Sequence, residues 1–354
     1  MSKKVKVGII GMGAIGCVHA SSYKAVGPAR VQAVCDIDPG RLERRANEFG
    51  AEGRFTDYRE LLKTDVEAVS VCVGNALHKE VAVAALRAGK HVLLEKPMAM
   101  NAAEARQILA AAGKARKVLQ IGMVNRQRPD SQVLREYIKV GHLGKVYHMR
   151  CVLVRRRGIP GLGGWFTTKE LSGGGPLIDL GVHWFDAAMW LSDHWKPTSV
   201  SAMTYAKFGA DMKNYKFVRM WAGPPKYDGT FNVEDYSTGF VRFADGATMA
   251  FEICWAANAK DESYVEILGD KGGARLFASE PLTIYTEHNG RLADIQPKFD
   301  DTDNRFQVQA EKFIQSCLGK CPPAATGPQG LVVMQLIDAI YASSLRGKEI
   351  QLRA

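Results

Sequence analysis

The chain has 354 residues, 46% of them apolar and 24% charged, with a formal net charge of +10. That length suggests about two domains, and the composition is that of an ordinary globular protein, not a disordered or fibrous one. The basic residues are dispersed, and the one dense run, Arg155-Arg156-Arg157, has no basic tail beside it, so the charge points to a general preference for anions over nucleic acid.

Val5–Ile10 reads as a buried strand, followed at once by Gly11-Met12-Gly13-Ala14-Ile15-Gly16 and a helix-compatible stretch over 18–26. Placed between a strand and a helix, these glycines allow a tight turn and the close approach of a pyrophosphate to free backbone N–H groups. The whole run 11–16 is therefore a candidate dinucleotide cradle. The next strand, 31–35, ends at Asp36, where a carboxylate accepts hydrogen bonds from ribose hydroxyls and repels a 2′-phosphate. NAD is expected over NADP, with Arg41 and Arg44 close by.

The alternation continues with a helical pattern over 41–49, a capping box at Asp57-Tyr58-Arg59-Glu60, a strand at 68–73 and helical spacing over 79–88 closed by Gly89. Gly74, Asn75 and His78 follow a strand and are candidates to line the cofactor. His91–Leu94 is a strand that delivers Glu95 and Lys96 and stops at Pro97. Proline restricts the residue before it to extended geometry, so Lys96 is presented at a strand end, where open α/β sheets bind ligands. A second capping box, Asn101-Ala102-Ala103-Glu104, opens a helix to about Ala112, and 118–124 is a last strand. The fold class this implies is α/β, with an N-terminal doubly wound parallel sheet over 1–125.

From 126 to 354 a second, α+β domain is expected. After a helix at 130–140, strands are read at 145–157, 198–208, 237–243, 247–255, 264–268, 274–277, 282–287 and 291–296, several joined by hairpin turns. Met249, Phe251, Ile253 and Trp255 share one face of their strand, which must be covered. The expectation is a large, mostly antiparallel open sheet with helices on one face and a subunit partner on the other. A last helix over about 329–345 packs back on the body. The stretch 221–232, rich in Gly and Pro, reads as an exposed loop.

Within this half lies Gly173-Gly174-Gly175-Pro176-Leu177-Ile178-Asp179-Leu180-Gly181-Val182-His183. Asp179 and His183, four apart, share a face of a helix; together they can orient a substrate and move a proton. No metal site is read from them. Seven cysteines without paired spacing point to a reducing compartment, and no apolar run reaches the ~18 residues a membrane helix needs. A cytoplasmic protein without a membrane partner is expected.

The glycine run, Glu95-Lys96-Pro97, Asn125-Arg126, Trp165 and the Gly-Gly-Gly-Pro-Leu-Ile-Asp-Leu-Gly-Val-His stretch together resemble the glucose–fructose oxidoreductase, inositol dehydrogenase and rhizopine catabolism family (Gfo/Idh/MocA) over nearly the whole chain. The resemblance implies a nicotinamide cofactor on the first domain and a sugar, glycoside or cyclitol on the second. It makes Lys96, Asp179 and His183 the catalytic set, and adds Glu95, Lys96, Asn125, Arg126 and Trp165 to the cofactor contacts. His183 then takes the hydroxyl proton while Lys96 hydrogen-bonds the same oxygen; the reverse assignment, with Lys96 as base, stays open. Tyr236, in a stretch similar to glycoside-oxidising members, is a substrate candidate alongside the catalytic three. Other activities the resemblance admits are an inositol dehydrogenase, a redox-assisted glycosidase and a non-catalytic cofactor sensor. It also implies a homodimer or homotetramer assembled through the second sheet.

Overall fold

The computed structural model describes residues 4–218, 220–277, 281–299 and 304–352. The chain forms two compact units, residues 1–127 with 303–331, and residues 128–302 with 332–354.

The first unit alternates β1 (Val5–Ile10), α1 (Ala14–Ala25), β2 (Ala29–Cys35), α2 (Pro39–Phe49), β3 (Gly53–Phe55), α3 (Tyr58–Leu62), β4 (Ala68–Val71), α4 (His78–Arg87), β5 (His91–Leu94), α5 (Ala102–Ala115) and β6 (Leu119–Ile121). All strands pair in parallel in the order β3-β2-β1-β4-β5-β6. The direction of build-up reverses between β1 and β4, and ligands bind at the strand C-termini beside such a switch. The strands are apolar on both faces, as burial between two helical layers demands: Val7, Ile9, Val69 and Leu93 are all buried.

Helix starts follow the local chemistry. Asp38 caps α2 by accepting from Arg41 N, with Pro39 in the first turn. Asp57 and Asn101 cap α3 and α5. The reciprocal half of the second expected box is displaced by one residue: the Glu104 carboxylate accepts from Met100 N, not from Asn101.

The second unit carries α6 (Pro129–Lys139), β7 (Val146–Val154), α7 (Lys169–Ser172), α8 (Val182–Ser192), β8 (Pro197–Tyr205), β9 (Tyr236–Phe243), β10 (Thr248–Cys254), β11 (Glu262–Gly269), β12 (Gly273–Phe277), β13 (Thr283–His288) and β14 (Arg291–Ile295). The chain continues through α9 (Arg305–Cys317) and α10 (Gly327–Arg346) to β15 (Ile350–Gln351). The nine-stranded sheet runs β14-β13-β12-β11-β7-β10-β9-β8-β15. Its pairings are antiparallel apart from β7 with β10. Met249, Phe251 and Ile253 are buried on one face, where Phe185 of α8 meets Phe251 edge-on at 5.1 Å.

One expectation needs correction. A single boundary at 125 leaves out α9, whose Ala310, Phe313 and Ile314 enter the same apolar cluster as Tyr23 and Val26 of the first unit. Tyr236, the substrate candidate, lies on the sheet face opposite to the one that carries α8. Side chains alternate along a strand, and Tyr236 has the parity of Thr238 and Phe240, opposite to the buried Ser237, Val241 and Phe243. Its hydroxyl donates to Glu252 at 2.7 Å on the outer face.

Among the described residues no helix is long and apolar enough to cross a membrane.

Candidate active site

In the first unit the chain leaves β1 through Gly11, whose N–H donates to the Cys35 carbonyl at 2.8 Å. Gly11 has φ +95°, and a Cβ there would sit 2.5 Å from the Cys72 carbonyl oxygen. A Cβ on Gly16 would collide with the Gly11 carbonyl oxygen, whereas one on Gly13 would meet nothing within 4 Å. Two of the glycines are thus demanded by the fold, and the packing around the middle one does not require a glycine. Gly13 caps α1 without a side-chain hydrogen bond, so the N–H groups of the helix's first turn are left without a side-chain cap. That is the donor set and the clearance a diphosphate requires. Met12 is buried beneath the turn, Ile15 is half-buried and Ala14 is exposed.

Asp36 stands at the end of β2 and is buried. Its carboxylate accepts from Met12 N and Asp38 N, both at 2.9 Å, and from Arg41 Nε and Nη2 at 2.9 and 2.7 Å. Burial works against the charge, but the Arg41 guanidinium and the two N–H groups outweigh it and hold the carboxyl below its usual range.

Gly74 and Asn75 form the turn after β4, with Asn75 buried. His78 is also buried, with Nδ1 at 2.7 Å from the Pro97 carbonyl and Nε2 at 3.1 Å from the Val73 carbonyl. Both ring nitrogens face backbone carbonyls, so this side chain braces the loops after β4 and β5. Arg126 is likewise turned inward: Nη1 donates to the Ala324 carbonyl and to Gln329 Oε1, both at 2.9 Å. Asn125 Oδ1 accepts from Arg305 at 3.3 Å.

β5 delivers Glu95, Lys96 and Pro97 at its C-terminal end, and the Lys96–Pro97 bond is cis. Glu95 is buried and turned into the unit, with Oε1 at 2.9 Å from His19 Nε2. The sequence alone does not mark His19, because a lone histidine inside a helix carries no local signal.

In the second unit, the Gly-rich motif is held by Glu234. Its carboxylate accepts from Gly175 N at 3.0 Å, Leu177 N at 3.2 Å and the Tyr341 hydroxyl at 2.8 Å. Burial raises the Glu234 pKa despite those donors. A Cβ on Gly175 would strike the Glu234 backbone and one on Gly174 the Tyr341 hydroxyl, which accounts for both glycines.

Leu177–Gly181 forms a π-helical turn leading into α8, a widened geometry that recurs at functional sites. Asp179 and His183 are half-buried on this stretch, and Asp186 is buried. Asp179 Oδ2 accepts from the indole N–H of Trp255 at 3.1 Å, a partner that sequence spacing could not supply. Trp165 is partly exposed, its ring centroid 3.7 Å from that of Phe166. Trp184 donates to the carbonyls of Val152 and Tyr264 at 3.0 and 3.1 Å, pinning α8 to the sheet.

A parallel doubly wound sheet, a glycine turn at a helix N-terminus and an acidic residue ending β2 define a dinucleotide-binding fold. Residues 5–123 match the oxidoreductase family with the NAD-binding Rossmann fold, and residues 131–275 match the GFO/IDH/MocA C-terminal domain. D-Glucoside 3-dehydrogenase of Escherichia coli (strain K12) is 36% identical over 99% of this chain and 98% of its own length. Myo-inositol 2-dehydrogenase of Thermotoga maritima is 25% identical over 98% of both. The structure of levoglucosan dehydrogenase with NADH superposes with a TM-score of 0.87 at 21% identity, over 99% of this chain and all of that one, a likeness of fold. The chain belongs to the Gfo/Idh/MocA family of NAD-binding oxidoreductases.

Proposed function

We propose that the enzyme oxidises a secondary hydroxyl of a pyranose glycoside, with NAD as hydride acceptor. The observation that carries this reading is the 36% identity, end to end, with a D-glucoside 3-dehydrogenase. The glycine run 11–16 holds the diphosphate and Asp36 the adenosine ribose. That carboxylate disfavours a 2′-phosphate, which argues for NAD over NADP.

Bound NAD supplies a ring carbon that takes up the hydride. The protein's part is proton handling. His183 takes the hydroxyl proton at a ring nitrogen, and Asp179 orients the imidazole. Lys96 donates from Nζ to the same oxygen and stabilises the charge that develops there. The outer face of the nine-stranded sheet, with Tyr236 and Phe240 half-buried, suits a homodimer or homotetramer; light scattering of the purified protein reads the order directly.

The decisive experiment is NAD reduction by a panel of methyl glycosides, free sugars and inositols, for the wild type and Lys96→Ala. Reduction by glycosides, collapsing in Lys96→Ala while NAD still binds, supports the reading. Reduction by inositols alone would move the substrate to the cyclitols. No reduction by any polyol would leave a cofactor sensor, and full activity in Lys96→Ala would remove the lysine from the mechanism.

A further inference from the structure

Lys96 lies between two residues that are each locked from within the first unit. On one side is Glu95, whose Oε1 lies 2.9 Å from His19 Nε2 and whose Oε2 accepts the Lys96 N–H at 3.3 Å. His19 sits on α1, three residues past Gly16. Its Nδ1 is 3.1 Å from Ser70 Oγ, which lies 2.8 Å from the Tyr23 hydroxyl. On the other side is Pro97, whose carbonyl meets His78 Nδ1 at 2.7 Å.

The seat is tight: a Cβ on Gly122 would lie 2.6 Å from Glu95 Oε1, so the carboxylate packs directly against this glycine. His19, His78 and Glu95 are 2%, 1% and 7% exposed, so none of the three can serve as the group that meets a substrate.

Such an arrangement is costly if packing is its sole purpose. Burying a carboxylate against an imidazole is often no better than an apolar pair of the same volume. Two helices, α1 and α4, nevertheless each direct a buried histidine at the three-residue turn 95–97. The residue between the two anchors is the lysine that the proposed function makes a reacting group, and the inference rests on that reading.

We propose that His19 and His78 are positioning residues of the reaction, fixing the turn on either side of Lys96 so that its ammonium keeps one direction. His19 acts through the Glu95 carboxylate and His78 through the Pro97 carbonyl. A displacement of about 1 Å in a reacting group can cost on the order of a hundredfold in rate, so small movements of this turn matter.

The test is a double-mutant cycle on the holoenzyme, reading kcat, KM for glycoside and NAD affinity. His19→Ala and His78→Ala should each lower kcat about tenfold to a hundredfold with little change in NAD affinity. His19→Gln keeps a donor for Glu95, and His78→Asn keeps one for Pro97; both should recover most of the loss. In the Lys96→Ala background, the residual rate should fall no further when His19 is also replaced, because its effect passes through the missing amine.

Equal losses in both backgrounds, or a wild-type kcat in His19→Ala, would overturn the proposal while Lys96→Ala keeps only its low residual rate. Full activity in Lys96→Ala would instead overturn the proposed function itself. If the alanine variants do not fold, Gly122→Ala decides. It displaces the Glu95 carboxylate with both histidines in place, and an unchanged kcat there would also sink the proposal.

Discussion

Arg41 grips both carboxylate oxygens of Asp36, Nη2 to Oδ1 at 2.7 Å and Nε to Oδ2 at 2.9 Å. A ribose diol that uses Asp36 has to take over part of that pairing, and Arg41 is the more exposed partner. Asp36→Ser should lower kcat/KM for NAD about tenfold to a hundredfold, the worth of roughly 1.5–3 kcal/mol for a charged hydrogen bond. It also frees Arg41 for a 2′-phosphate, so kcat/KM for NADP should rise. Arg41→Ala should do the opposite, weakening NADP use while sparing NAD. Steady-state kinetics with both dinucleotides check this; an unchanged NADP/NAD ratio in Asp36→Ser would contradict the assignment.

Trp255 is fully buried and donates its indole N–H to Asp179. Trp255→Phe keeps an aromatic ring but removes the donor. A hydrogen bond to a charged group is worth about 1.5–3 kcal/mol, so its loss lets Asp179 turn away from the position set by the π-helical turn. A fall in kcat of about tenfold is expected, larger than any change in KM, together with a lower melting temperature from the smaller ring. Kinetics and thermal unfolding of the same preparation separate the two effects.

Much of this architecture could be read from local pattern. The glycine turn and the parallel alternation were legible because each depends on residues close in sequence. The parity of Tyr236 is equally legible, since Val241 and Phe243 fix which face of β9 is covered. The helix Arg305–Cys317 carries core-facing apolar residues at 310, 313, 314 and 317, a helical spacing. That it returns to α1 is a tertiary fact with no local mark. The same holds for His19 with Glu95, 76 residues apart, and Trp255 with Asp179, also 76 apart. Pairings across such separations are set by the sheet order, which periodicity does not encode.

The buried histidines should shape the pH dependence of stability in opposite senses. Burial alone would keep His19 neutral, but the neighbouring Cys72 sulfur and the Glu95 carboxylate outweigh it and push its pKa up to about 10. An imidazole in the unfolded chain titrates near 6.5, so the folded protein holds this proton more tightly. The stabilisation is complete below about pH 6.5 and is lost as the pH climbs towards about 10. His19→Gln removes the titrating group, and its melting temperature should fall less than that of the wild type across this window. His78 is held below its ordinary pKa by burial, so its share is lost as the pH drops under about 6.5. Replacing it by Asn should flatten the acid side. Melting curves from pH 5 to 10 for the three proteins test both signs at once, and parallel curves would contradict them.

The three glycines of the turn after β1 should behave differently because they meet different neighbours. Gly11 has a positive φ and lies against the Cys72 carbonyl, and Gly16 lies against the Gly11 carbonyl. Alanine at either forces backbone to move, so both variants should be destabilised by several kcal/mol or fail to fold. Gly13 has an extended backbone, φ −69° and ψ −166°, and a Cβ there meets no protein atom within 4 Å. Gly13→Ala should therefore keep the melting temperature of the cofactor-free wild type. A diphosphate seated on the α1 N-terminus would meet that methyl group, and NAD affinity should fall at least tenfold. Thermal unfolding with and without NAD reads both quantities: the variant should match the wild type without cofactor and lose the upward shift that bound NAD produces. A Gly13→Ala protein that is still stabilised by NAD as the wild type is would place the dinucleotide away from this turn, and with it the role assigned to Asp36.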